Sequence, residues 1–250
     1  VRDPHSGWIQ LSAAEFVLVW PALRLGPIPL ALGIPNIGRT TRSRAELVNE
    51  ASLTLSGRDL GTVQEPARDL AHVLRQLAAA QTLVDLTVDG QESSLAAIGS
   101  ITPRGNAVAA RVSDEVRVGP VERVTTALLD AVIPLPAGPG NSVNIRVADY
   151  EDACSEGVYD GVSGFVRVLA HKGVRQSDAT MVARALTDRL GGGRFGVNHG
   201  RDRSSMSWVD TPDGRYVLRN AGGWVSVVPV DPHRLTVMAD EMVVSSAAMS

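Results

Sequence analysis

A chain of 250 residues, 44% of them hydrophobic, has enough apolar surface to bury a sizeable core. Its 24 basic and 27 acidic residues leave a net charge of −3, with no long run of one sign, which excludes the concentrated basic face that a phosphate backbone or an anionic membrane requires. The single cysteine, Cys154, excludes an internal disulfide and a thiolate metal cluster, and the absence of a basic-then-apolar N-terminus or an unbroken apolar stretch predicts a cytosolic chain with no leader and no membrane span.

Helix starts come first in chain order. Ser12/Glu15, Ser43/Glu46 and Thr62/Glu65 each fit the capping box, in which hydroxyl and carboxylate satisfy two orphaned backbone donors. The third opens a predicted helix over 65–80. Leu70, Ala71, Leu74 and Leu77 form its apolar stripe, with Arg68, Asp69, His72 and Arg75 opposite. Strands are predicted at 83–88, 95–101, 107–112 and 116–118, with Thr102-Pro103-Arg104-Gly105 as a hairpin tip and Ser113-Asp114 as a second turn. Pro120 ends the last strand, and Val121, Val124, Leu128 and Val132 then recur at helical spacing. Residues 135–142, LPAGPGNS, read as a linker.

The second half begins with a helical stripe of Val158, Val162, Phe165, Val166 and Leu169, stopped by Gly173. A second stripe of Met181, Val182, Ala185 and Leu186 is stopped by Gly191 to Gly193. Strands follow at 194–199, 205–210, 216–220 and 224–228, with a tip at Thr211-Pro212-Asp213-Gly214, and Leu235, Met238 and Met242 mark a final helix. Residues 102–121 and 211–230 agree without a gap at Thr102/Thr211, Pro103/Pro212, Gly105/Gly214, Val108/Val217, Val116/Val225, Val118/Val227, Pro120/Pro229 and Val121/Val230. These are turn-forming and apolar positions, so a shape is repeated. Half a chain with four strands leaves edges unpaired. The expected fold is therefore one α+β domain over 1–250, a central antiparallel sheet of two quasi-symmetric repeats, about 11–134 and 143–245, joined by the linker and flanked by helices.

Catalytic chemistry is sparse. His5, His72, His171, His199 and His233 lack ligand spacing to one another or to cysteine, so no metal and no cofactor is predicted. Cys154 has no flanking base, and the Gly191–193 run leads from helix into strand, the reverse of a phosphate loop. Asp210 and Asp213 flank a turn and are expected to close it locally. Trp208 and Trp224 lie on predicted strands, either packed in the sheet or serving as a binding platform.

Four stretches, LSAAEFVLVW (11–20) followed by LGPIPLAL (25–32), LPAGPGNSV (135–143), GRFG (193–196) and DTPDGRY (210–216), together resemble the EspG-type chaperones of ESX, or type VII, secretion. The resemblance covers nearly the whole chain in matching order. It implies a sheet of two quasi-symmetric halves flanked by two helical bundles, and a cytosolic, non-enzymatic protein. Such a protein holds PE-PPE heterodimers before export and covers the apolar helical tip of the PPE chain. One departure is Asp59-Leu60, where family members often carry Gly-Leu; Gly57 is then the expected helix stop. The residues expected to face the partner are Thr102, Arg104 and Asn106 at the first hairpin tip, with Trp208 and Trp224. The alternative is a small-molecule-binding domain or enzyme with a cavity between the halves.

Overall fold

A computed structural model describes residue 3 and residues 6–35, 41–90 and 94–248. The chain opens with β1 (Ile9–Ser12) and α1 (Ala13–Ala22), then a short 3-10 turn (Leu30–Leu32), α2 (Thr41–Ser56) and α3 (Arg68–Ala78). Four antiparallel strands follow: β2 (Thr82–Asp89), β3 (Ser94–Thr102), β4 (Gly105–Val112) and β5 (Glu115–Val121). After α4 (Val124–Leu129) come β6 (Val143–Arg146), α5 (Val147–His171) and α6 (Gln176–Thr187). The chain closes with β7 (Gly191–His199), β8 (Asp202–Thr211), β9 (Gly214–Ala221), β10 (Trp224–Pro229) and α7 (Pro232–Ala248). All ten strands join one antiparallel sheet in the order β1-β5-β4-β3-β2-β7-β8-β9-β10-β6.

Register carries each face across the sheet. Ala97 pairs with Leu86 and Ala110, Leu86 with Phe195, and Phe195 with Met206. This face is covered along its middle by α4 and α7, through Val124, Leu128, Leu235, Met238 and Met242. Among the described residues, the opposite face has α-helices only at its two ends. At one end α1, α2 and α3 bury Ile9, Leu11, Ile98, Ala109, Val116 and Val118; at the other α5 and α6 bury Val143, Ile145, Val209, Val225 and Val227. Between these banks the centre of the sheet is open, with Arg194 and Ser207 exposed on it.

Local chemistry explains most boundaries. Ser12 caps α1 as expected: its hydroxyl accepts from the Glu15 N–H at 3.1 Å, and Glu15 Oε2 accepts from the Ser12 N–H at 2.8 Å. The other two boxes are not helix starts. Ser43 lies inside the first turn of α2, and Glu46 pairs with Arg42 at 3.2 Å. Thr62 accepts from the Glu65 N–H at 3.0 Å, yet this closes a turn and α3 begins at Arg68, because Pro66 and the Gly61–Pro66 bridge hold the chain out of helix. The stop of α2 is not Gly57. Asp59 carries the left-handed conformation, φ 57°, while the Leu60 N–H returns to the Leu55 carbonyl at 3.0 Å and both leucines are fully buried. That is a Schellman ending, whose left-handed position is one that glycine ordinarily fills.

Two expected stripes change meaning. Gly191 to Gly193 begin β7, and α6 already ends at Thr187; a Cβ on Gly193 would stand 2.2 Å from the Trp208 ring, so the absence of a side chain makes room for the indole. Helix α5 is two antiparallel arms. Asp160 and Gly161 leave helical geometry, with Gly161 at φ 60° and ψ −149°. Lys172 consequently reaches Asp149 and Asp152 at 3.2 and 3.1 Å, whereas 23 residues of straight helix would separate them by about 34 Å. Val158 and Val162 thus fall at the tip of a helical hairpin, 82% and 40% exposed, and only Phe165 and Leu169 of that stripe are buried.

Candidate partner-binding surface

The first hairpin tip is a two-residue turn. Thr102 Oγ1 donates to the Gly105 carbonyl at 2.6 Å and accepts from the Arg104 N–H at 3.2 Å, so its hydroxyl is spent on closing the turn. Asn106 is likewise engaged, donating from Nδ2 to the Glu122 carbonyl at 2.8 Å. Arg104 projects freely at the apex. It stands beside the last turn of α3, where His72, Arg75, Gln76, Thr102, Pro103 and Arg104 line a groove of about 620 Å³.

The two tryptophans separate. Trp208 is 1% exposed and lies in the core under α7, with the Arg215 guanidinium 5.7 Å from its ring; it offers no surface to a partner. Trp224 sits on β10 at the far side of the sheet, 44% exposed, with Arg146 5.5 Å from its ring centre. Asp210 does not work with Asp213. It holds the buried Arg215 guanidinium at 2.6 and 3.1 Å, and that guanidinium also donates to the Ile133 carbonyl, fastening the segment that enters the linker to the sheet. The linker also exchanges backbone hydrogen bonds with β9: Arg215 N–H to Pro136 at 2.9 Å and Gly138 N–H to Arg215 at 3.1 Å.

The open centre of the sheet carries a connected polar floor. Asp85 accepts from Asn198 at 3.0 Å and from Arg194 at 3.4 Å, and Arg203 donates to Asn198 at 2.7 Å. On the α5–α6 side the hairpin tip presents Val158 at 82%, Tyr159 at 87% and Val162 at 40% exposure. These residues were not read as surface from the sequence, since helical periodicity placed two of them on the buried stripe. The signal available was Gly161 itself, in the middle of that stripe. Arg167 braces the two arms by pairing with Glu156 and Asp160 at 2.6 Å each, and the Tyr150 ring meets Phe165 edge-on at 6.1 Å. Apolar side chains on a braced tip and a polar floor are what a protein interface uses, an apolar anchor with a satisfied polar surround. Among the described residues no cluster of three His, Cys, Asp or Glu could hold a metal ion, and no helix is long and apolar enough to cross a membrane.

The architecture matches a solved structure over almost its whole length. The Mycobacterium tuberculosis type VII secretion system chaperone EspG5, solved in complex with a PE25-PPE41 dimer, is similar with a TM-score of 0.76 and 14% identity, covering 93% of this chain and 94% of that one. No curated protein matches the sequence. The sequence model of the EspG family matches residues 12–241, from the cap of α1 to the middle of α7. The chain belongs to the EspG family.

Proposed function

We propose that this protein is a cytoplasmic chaperone that binds PE-PPE heterodimers, covers the apolar helical tip of the PPE chain and delivers the pair to an ESX secretion machine. The observation that carries this reading is the family match over nearly all of the chain. The solved relative adds support, because a chaperone of the same fold was captured holding such a dimer. Surface chemistry agrees: the α5 hairpin displays Val158 and Tyr159 to solvent, and the open sheet face beside its bank offers paired polar groups to a rim. We place the partner on that open face, with Arg104 at its margin; Trp224 lies on the opposite face, the side of Trp208 and Val228. Thr102 and Asn106 serve there by shaping the tip.

The chain also reads as one domain of two quasi-symmetric halves, about 11–134 and 143–245. Supporting this, the sheet order outward from the β2–β7 pair runs β3, β4, β5, β1 on one side and β8, β9, β10, β6 on the other. Both tips are closed alike, Thr102 to Gly105 at 2.6 Å and Thr211 to Gly214 at 2.8 Å.

Co-expression with PE-PPE pairs from the same genome tests the function. A stable stoichiometric complex on gel filtration, with cargo soluble only in the chaperone's presence, is the expected result. Failure of every pair to co-elute would overturn the reading.

A further inference from the structure

We propose that the groove between the last turn of α3 and the β3–β4 hairpin docks an acidic segment of the cargo, one carrying a carboxylate beside an apolar side chain. This rests on the chaperone reading above and names the chemistry of one part of its interface. The groove, about 620 Å³, is lined by His72, Arg75, Gln76 and Arg104 with no acidic residue among its walls. Arg75 and Arg104 come from separate elements and are both exposed. Some arginines elsewhere are neutralised, Arg58 by Glu15, Arg123 by Asp240, Arg167 by Glu156 and Asp160, and Arg215 by Asp210, while Arg111 and Arg203 donate to neutral carbonyl oxygens instead. Arg75 and Arg104, among the described residues, have no carboxylate partner.

Two further features select the occupant. Carbon surface dominates the lining, so an apolar side chain fills the groove better than a chain of charges does. The two guanidinium groups reject a basic segment. No Phe, Tyr or Trp lines the groove as a stacking platform, which separates it from a nucleic-acid track. An acidic peptide segment satisfies the cations and the apolar wall together.

The test is calorimetric titration of a PE-PPE heterodimer into the full chain, into Arg75→Glu/Arg104→Glu and into Arg75→Lys/Arg104→Lys. We expect the reversal to weaken binding by roughly tenfold or more at low salt, the lysine pair to stay within about threefold, and the gap to narrow as salt screens the contact. If the reversed variant melts differently, Arg75→Gln/Arg104→Gln, expected to weaken binding in the same salt-dependent way, decides instead. Wild-type protein that binds no heterodimer overturns the chaperone reading itself. Wild-type binding that neither variant weakens overturns the groove alone.

Discussion

Gly105 and Gly214 hold the same place in the two hairpins, at φ 130° and 133°, yet their surroundings differ. A Cβ on Gly214 would meet the linker backbone, Gly138 N and Pro136 O both at 2.7 Å, whereas on Gly105 it would meet the movable end of Gln76 at 2.9 Å. Gly214→Ala is expected to cost about 3 kcal/mol and Gly105→Ala about 1 kcal/mol in urea unfolding, since only the first adds a backbone clash to the strain. Equal losses would mean the linker is not fastened as described. Glu15 supplies a pH-dependent prediction. Burial pushes its carboxyl up, but hydrogen bonds from Thr54, Arg58 and the Ser12 N–H, with the charge of Arg58, outweigh that and hold it below the ordinary 4.5. A depressed folded value means the stabilisation is complete above 4.5 and is lost as pH falls through the lower folded value. Glu15→Gln should therefore cost about 2 kcal/mol near neutral pH, with the difference from wild type shrinking as pH falls below 4.5. A gap independent of pH would assign the loss to shape instead of charge.

Among the elements, those set by local chemistry were legible in the sequence and those set by distant pairing were not. The threonine-proline-glycine tips announce themselves, because each turn is closed by its own residues. The four-residue edge strands β1 and β6 carry too few residues for a pattern, and each is defined by its partner: Ile9 pairs with Val118 and Val143 with Val227. Asp59 was visible as a departure from the family but not as the left-handed residue itself, since aspartate is among the few side chains that tolerate that region. Of the surface residues, Arg104 was readable as the exposed apex of a turn, while Trp208 was not readable as buried until α7 was seen to lie over it. The α5 hairpin hid its tip behind a false stripe. Its apolar side chains stabilise nothing in the isolated chain, so Val158→Asp/Tyr159→Asp should leave thermal unfolding within about 0.5 kcal/mol of wild type. The same variant should bind a PE-PPE heterodimer about tenfold more weakly, or worse, if the tip is an anchor. Undiminished binding in a gel-filtration or calorimetric assay would remove the tip from the interface.

At the scale of the molecule, one continuous sheet with helices at both ends of one face and along the middle of the other forms a stiff, shallow cradle. Its centre is polar and hydrogen-bonded, which keeps the open face stable in water before a partner arrives. Hydrogen–deuterium exchange of the chain, alone and with a PE-PPE heterodimer, tests this account most directly. Slower exchange is expected in β7, β8 and residues 156–163, with no change in α4 and α7 on the covered face. Protection confined to the α4–α7 face, or none at all in a proven complex, would contradict it.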